Sequence, residues 1–126
     1  MGRWAAYRRR GRAVSFFGLP RVALATIDPG VFGQTDGVLK LTFNRRLTTN
    51  NARGLQAKLL GEGAFQFDQV GTFTPGDFTA VWVSTNFFPG LQTADVVSWG
   101  GIGGPIVFED GSTLTTFVDV PLTRVL

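Results

Sequence analysis

The 126-residue sequence predicts an all-β chain built as an antiparallel sandwich of about seven short strands. Three observations carry this. Apolar residues alternate with polar ones at period two in several short runs. Turn chemistry recurs every 8–12 residues or so. Residues that favour helices are scarce: Met occurs once, and Glu and Lys twice each, against 17 Gly and 12 Phe. A closed all-β barrel would leave the same one-dimensional pattern, and periodicity alone does not separate the two.

The body begins with a strand over residues 22–27, VALATI. Asp28-Pro29-Gly30 ends it, because Pro presets φ and Gly accepts a left-handed turn. Residues 31–36 continue as loop. The organising stretch is 38–47, VLKLTFNRRL, in which Leu39, Leu41 and Phe43 share one face. Thr48, Thr49, Asn50 and Asn51 favour a turn or a helix N-cap, and Gly54 suits the end of a single helical turn. Leu55, Ala57 and Leu59 then alternate with Gln56 and Lys58. After Gly61-Glu62-Gly63, Phe65 and Phe67 alternate with Gln66 and Asp68, giving a strand to about Val70. Residues 78–84, FTAVWVS, have no polar face, which predicts a central strand or one covered on both sides. Pro89-Gly90 breaks the chain. A strand over 94–99 follows, with Val97 and Trp99 on one face. Gly100, Gly101, Gly103 and Gly104 form a loop, Ile106 to Phe108 a short strand, and Asp110-Gly111 a turn. The chain closes over 114–125, where Phe117 is placed against the core and Pro121 marks an edge position.

Charge divides the chain in two. Residues 1–21 hold six Arg and no acid, whereas residues 22–126 hold six basic and nine acidic side chains. The domain division is therefore an extended basic N-terminal arm over 1–21 and a sandwich over 22–126. Arg3, Arg8, Arg9, Arg10 and Arg12 supply charge to the arm, and Trp4, Tyr7, Phe16 and Phe17 supply large apolar anchors. These nine residues are the candidate partner-binding site. A partner with an acidic surface fits them, and nucleic acid is the alternative, with Arg on phosphates and Trp4 and Tyr7 on exposed bases. A secretory leader is disfavoured: Arg8 to Arg10 and Ala23-Leu24-Ala25 look like its ends, but Pro20 and Arg21 cut the apolar stretch short. No apolar run approaches the roughly 18 residues of a bilayer span.

Catalytic chemistry has few candidates. With no Cys and no His, there is no disulfide, no thiolate or imidazole ligand and no His base. The glycine run at 100–104 is followed by Pro105 and Ile106 rather than by Lys-Ser/Thr and a helix, so it is not expected to be a phosphate loop. Asp28, Asp36, Glu109, Asp110 and Asp119 do not form a 12-residue acidic calcium loop. Glu109 and Asp110 read as turn formers. A non-enzymatic chain with no cofactor and no metal is expected.

Residues 36–126 resemble the bacterial Ig-like repeat modules of large surface-associated proteins. The likeness rests on DGVLKLTFNRRL as an opening strand, LQAKLLGEGAFQFDQV as strand, turn and strand, FTAVWVSTNFFPGLQTADVVSW as a long strand, linker and strand, and GGPIVFEDGSTLTTFVDVPLTRV as the closing part. The resemblance implies an Ig-like sandwich. Such modules often come in tandem, but no internal repeat is visible here, and they do not usually carry an Arg-rich arm. A single module with such an arm looks like an accessory protein of a virus particle, in particular a tailed bacteriophage. By that analogy it would be a capsid-decorating, capsid-stabilising or tail-associated protein of the virion, docked on other virion proteins in many copies or as a homo-oligomer. The alternative is an adhesion or glycan-binding module at a bacterial cell surface, with loops 30–37 and 100–104 as its contact face.

Overall fold

The computed structural model describes residues 18–30 and 37–125. Among them there is no helix. There are twelve strands: β1 (Val22–Asp28), β2 (Gly37–Phe43), β3 (Leu47–Thr49), β4 (Leu55–Leu59), β5 (Gly63–Phe67), β6 (Thr79–Ser84), β7 (Asn86–Pro89), β8 (Val96–Trp99), β9 (Ile106–Phe108), β10 (Thr113–Leu114), β11 (Phe117–Pro121) and β12 (Thr123–Arg124). They form a four-stranded sheet in the order β12-β1-β2-β6, a three-stranded sheet β10-β9-β3 and a five-stranded sheet β11-β8-β4-β5-β7. The all-β expectation holds, and the strands outnumber the predicted seven because several are only two to four residues long.

Alternation places the core. In β2, Leu39, Leu41 and Phe43 turn inward; in β4, Leu55, Ala57 and Leu59 do so; in β5, Phe65 and Phe67; in β8, Val97 and Trp99. These side chains, with Trp82, Ile106, Phe108 and Phe117, form one buried cluster fed by all three sheets, as in a β-sandwich. Each large apolar side chain buried there contributes about 1.5–3 kcal/mol against the entropy of ordering the chain. The two buried indoles keep their donors paired. Trp82 Nε1 donates to the Ala52 carbonyl at 3.0 Å and Trp99 Nε1 to the Ile102 carbonyl at 3.1 Å.

The predicted strand over 38–47 is two strands in different sheets. β2 ends at Phe43, residues 44–46 turn, and Leu47 pairs with Phe108 of β9. The stretch expected to be a turn or helix cap therefore begins as β3. Only Asn50 keeps its local turn role, its Oδ1 accepting from Ala52 N–H at 3.2 Å. Residues 78–84 are expected from sequence to be central or partly covered at both faces, and Thr79 and Val81 are indeed half-buried on the outer face. β6 is not central, however: it lies at the rim of its sheet and alternates, with Ala80, Trp82 and Ser84 buried and Val83 exposed. A single bridge to Thr72 covers Val81 on the open side. Thr85 alone separates β6 from β7, so the chain passes directly from the four-stranded to the five-stranded sheet. Ser84 Oγ, hydrogen-bonded to the Gln66 carbonyl, fastens that corner.

Pro121 lies on an edge strand, as expected, and β11 carries a bulge between Phe117 and Val120 where Asp119 has φ of 52°. The strand pairings are antiparallel except for β1 with β12, which run parallel.

Candidate functional site

The nine predicted contact residues, Arg3, Trp4, Tyr7, Arg8, Arg9, Arg10, Arg12, Phe16 and Phe17, lie outside the described residues. So do residues 31–36 of the first candidate contact loop. Of the predicted arm only residues 18–21, its root, are described, together with the body surface that holds them.

That surface is the turn after β2. Asn44 grips the root in both directions. Its Oδ1 accepts from Arg21 N–H at 3.0 Å, its Nδ2 donates to the Leu19 carbonyl at 3.0 Å, and its backbone N–H donates to the Arg21 carbonyl at 3.1 Å. Only a side chain with both an acceptor and a donor at its tip can make the first two bonds together. The next residue, Arg45, donates through Nη2 to the Gly18 carbonyl. Leu19 itself is left exposed.

Arg45 is buried at 6% exposure, against the usual preference of Arg for the surface. Its Nε lies 2.9 Å from Asp110 Oδ2. Asp110 belongs to the turn between β9 and β10, where its Oδ1 accepts from the backbone N–H and the hydroxyl of Ser112. Those two Ser112 hydrogen bonds, with the guanidinium of Arg45 beside them, hold the Asp110 carboxyl below its ordinary pKa. Arg45 thus ties three pieces of chain: the arm root, the β2–β3 turn and the β9–β10 turn. Arg46 points elsewhere, donating to the Gly76 carbonyl at 2.9 Å with its guanidinium 4.7 Å over the Phe78 ring. The expectation of Glu109 and Asp110 as turn residues stands, and Asp110 has this second task that sequence reasoning missed.

A second charged cluster lies around Arg124. Its Nη2 is 2.9 Å from Asp95 Oδ1 and donates to the Leu60 carbonyl at 2.9 Å, and its Nη1 pairs with Glu62. Leu60 N–H donates to Asp95 Oδ1 at 2.7 Å. Hydrogen bonding to Arg124, then to Leu60, keeps the Asp95 carboxyl below its usual range. These bonds clip β12 onto the β4–β5 turn, which is a structural task.

The glycine loop at 100–104 folds back on the body. Gly101, Gly103 and Gly104 have φ of 95°, 99° and 84°. A Cβ on Gly103 would collide with the Asn51 carbonyl. At the loop's centre a carbonyl gathers donors: Ile102 O accepts from Arg53 N–H at 3.1 Å as well as from Trp99. A strand, β9, follows the loop. Among the described residues, no group of three or more His, Cys, Asp or Glu is placed to hold a metal ion. No protein family, curated protein or solved structure matches the chain.

Proposed function

We propose that this chain is a non-enzymatic, Ig-like assembly protein that docks through its basic arm onto an acidic surface of a larger, repetitive structure. A virus particle, with the chain as a decorating, stabilising or tail-associated component in many copies, is the setting that fits best. The observation that carries this reading is the segregation of charge: six Arg and no acid in residues 1–21, against an acidic excess in the remainder. Opposite charges arranged in this way speed encounter and select the partner. The root supports the same reading. Four hydrogen bonds to Asn44 and Arg45 hold residues 18–21, and an arm anchored at such a root loses less freedom on docking than a loose tether.

Co-sedimentation of the chain with purified particles tests it. Deleting residues 1–17 is expected to leave the β-sheet circular dichroism signal intact and to abolish co-sedimentation. A folded truncated chain that still saturates the particles overturns the reading.

A further inference from the structure

The outer face of the five-stranded sheet carries an ordering that only the strand register reveals. Asn86 of β7 stands opposite Gln66 of β5, Gln66 opposite Gln56 of β4, and Gln56 opposite Ser98 of β8. Ser98 Oγ in turn accepts from Asp119 N–H of β11 at 2.8 Å. Residues paired in this way project from the same face. Ser98 Oγ also donates to Asp119 Oδ1 at 3.4 Å, so one row of hydrogen-bonding side chains runs across all five strands. At about 4.8 Å per strand the row spans about 19 Å.

A second row lies beside it. Phe88 faces Ala64, Ala64 faces Lys58, Lys58 faces Val96, and Val96 faces Pro121. Apart from the Lys58 ammonium this row is apolar; Ala64 within it is buried, so its accessible apolar surface is Phe88, at 55% exposure, on one side of Lys58 and Val96 with Pro121 on the other. Two amides of the polar row are already oriented. Asp68 Oδ1 accepts from Gln66 Nε2 at 2.8 Å and Asp68 Oδ2 from Asn86 Nδ2 at 3.2 Å, which turns the amide oxygens away from Asp68. Beyond Asn86 the row meets a depression of about 240 Å³ lined in part by Asp68, Gln69 and Ser84.

We infer that this face binds an uncharged, linear polysaccharide. A pyranose ring has an apolar C–H face and a rim of hydroxyls, and a chain of such rings presents both along its length. The two rows offer the matching pair of surfaces. Amide and hydroxyl side chains donate and accept at once, as sugar hydroxyls require. The Phe88 ring is an apolar platform for a C–H face. Charge complementarity points the same way: Lys58 stands against Asp119 and Asp68, leaving one net negative charge over the face, which repels a polyanion and is too little to hold a polycation. The rows run from one rim of the sheet to the other, so the geometry suits a chain rather than a single sugar. The inference is independent of residues 1–21, whose described part, residues 18–21, is held at the turn joining β2 and β3 of the other two sheets.

Affinity electrophoresis of the full chain through gels containing dextran, galactomannan or hydroxyethylcellulose, with heparin as the charged comparison, tests it. At least one uncharged polymer is expected to retard the chain, equally at low and high salt. Phe88→Ala and Gln56→Ala are each expected to weaken that retardation on the order of tenfold. Gln56 is exposed, so Gln56→Ala is expected to melt at the same temperature as the parent chain. No retardation by any of the three uncharged polymers, retardation by heparin alone, or a Gln56→Ala variant that binds like the parent would each overturn the inference.

Discussion

Replacing Asn44 with alanine removes two of the hydrogen bonds that hold the arm root, those to Arg21 N–H and to the Leu19 carbonyl, both 3.0 Å long. The backbone bond from Asn44 N–H to the Arg21 carbonyl remains. A typical protein hydrogen bond contributes a net 0.5–1.5 kcal/mol or about that, and both of these lie at the surface, so the pair contributes about 1–2 kcal/mol. That energy opposes local opening of residues 18–21, not global unfolding. In Asn44→Ala the Arg21 amide is therefore expected to exchange with solvent about 5–30 times faster. The amide of Leu41, in the middle of the four-stranded sheet, is expected to keep its rate. Amide exchange followed by NMR reads both. An unchanged Arg21 rate would show that Asn44 does not hold the root. An equal acceleration at Leu41 would show that Asn44 supports the whole sandwich rather than the arm.

Two further substitutions of condition or residue probe the body. A Cβ on Gly71 would approach the Trp82 ring to 2.5 Å, so Gly71→Ala is expected to destabilise the chain by about 1–3 kcal/mol in a urea titration; an unshifted midpoint would contradict the close packing there. Asp95 and Asp110 both have pKa values lowered from 3.8. Their folded-state values lie below the unfolded ones, so the stability they contribute is present above about pH 4 and is lost as the pH falls through the folded-state values. Thermal midpoints are expected to drop below pH 4, and Asp95→Asn is expected to flatten that drop. An equally steep drop in Asp95→Asn would remove the Arg124 clip from the account.

Much of the sheet architecture was legible because period two reports which face of a strand is buried. Leu39, Leu41 and Phe43 announced β2, and Leu55, Ala57 and Leu59 announced β4. Periodicity does not report the partner of a strand, nor where the chain changes sheet. The break at residues 44–46 was hidden because its cause is remote: Asn44 bonds to Arg21, and Arg45 is buried against Asp110. β7 was hidden because Phe87 and Phe88 are adjacent and Pro89-Gly90 follows, which reads as an interruption. Its two rings face opposite ways, Phe87 towards Phe65 at 5.0 Å and Phe88 towards solvent. The charge split between residues 1–21 and the remainder was legible from composition alone, whereas the clamp on residues 18–21 depends on a pairing 23 residues apart in sequence. The polar row across the five-stranded sheet was half legible. Gln56 and Gln66 read as outward-facing positions, but only the register aligns them with Asn86 and Ser98.

The central claim, that the arm is the docking element, is tested most directly by placing a photocrosslinking residue at Tyr7 in the full chain and irradiating assembled particles. The account predicts crosslinks to an acidic segment of a neighbouring particle protein, lost when Arg8, Arg9 and Arg10 are changed to glutamate. Crosslinks confined to nucleic acid, or to this chain's own sandwich, would contradict it.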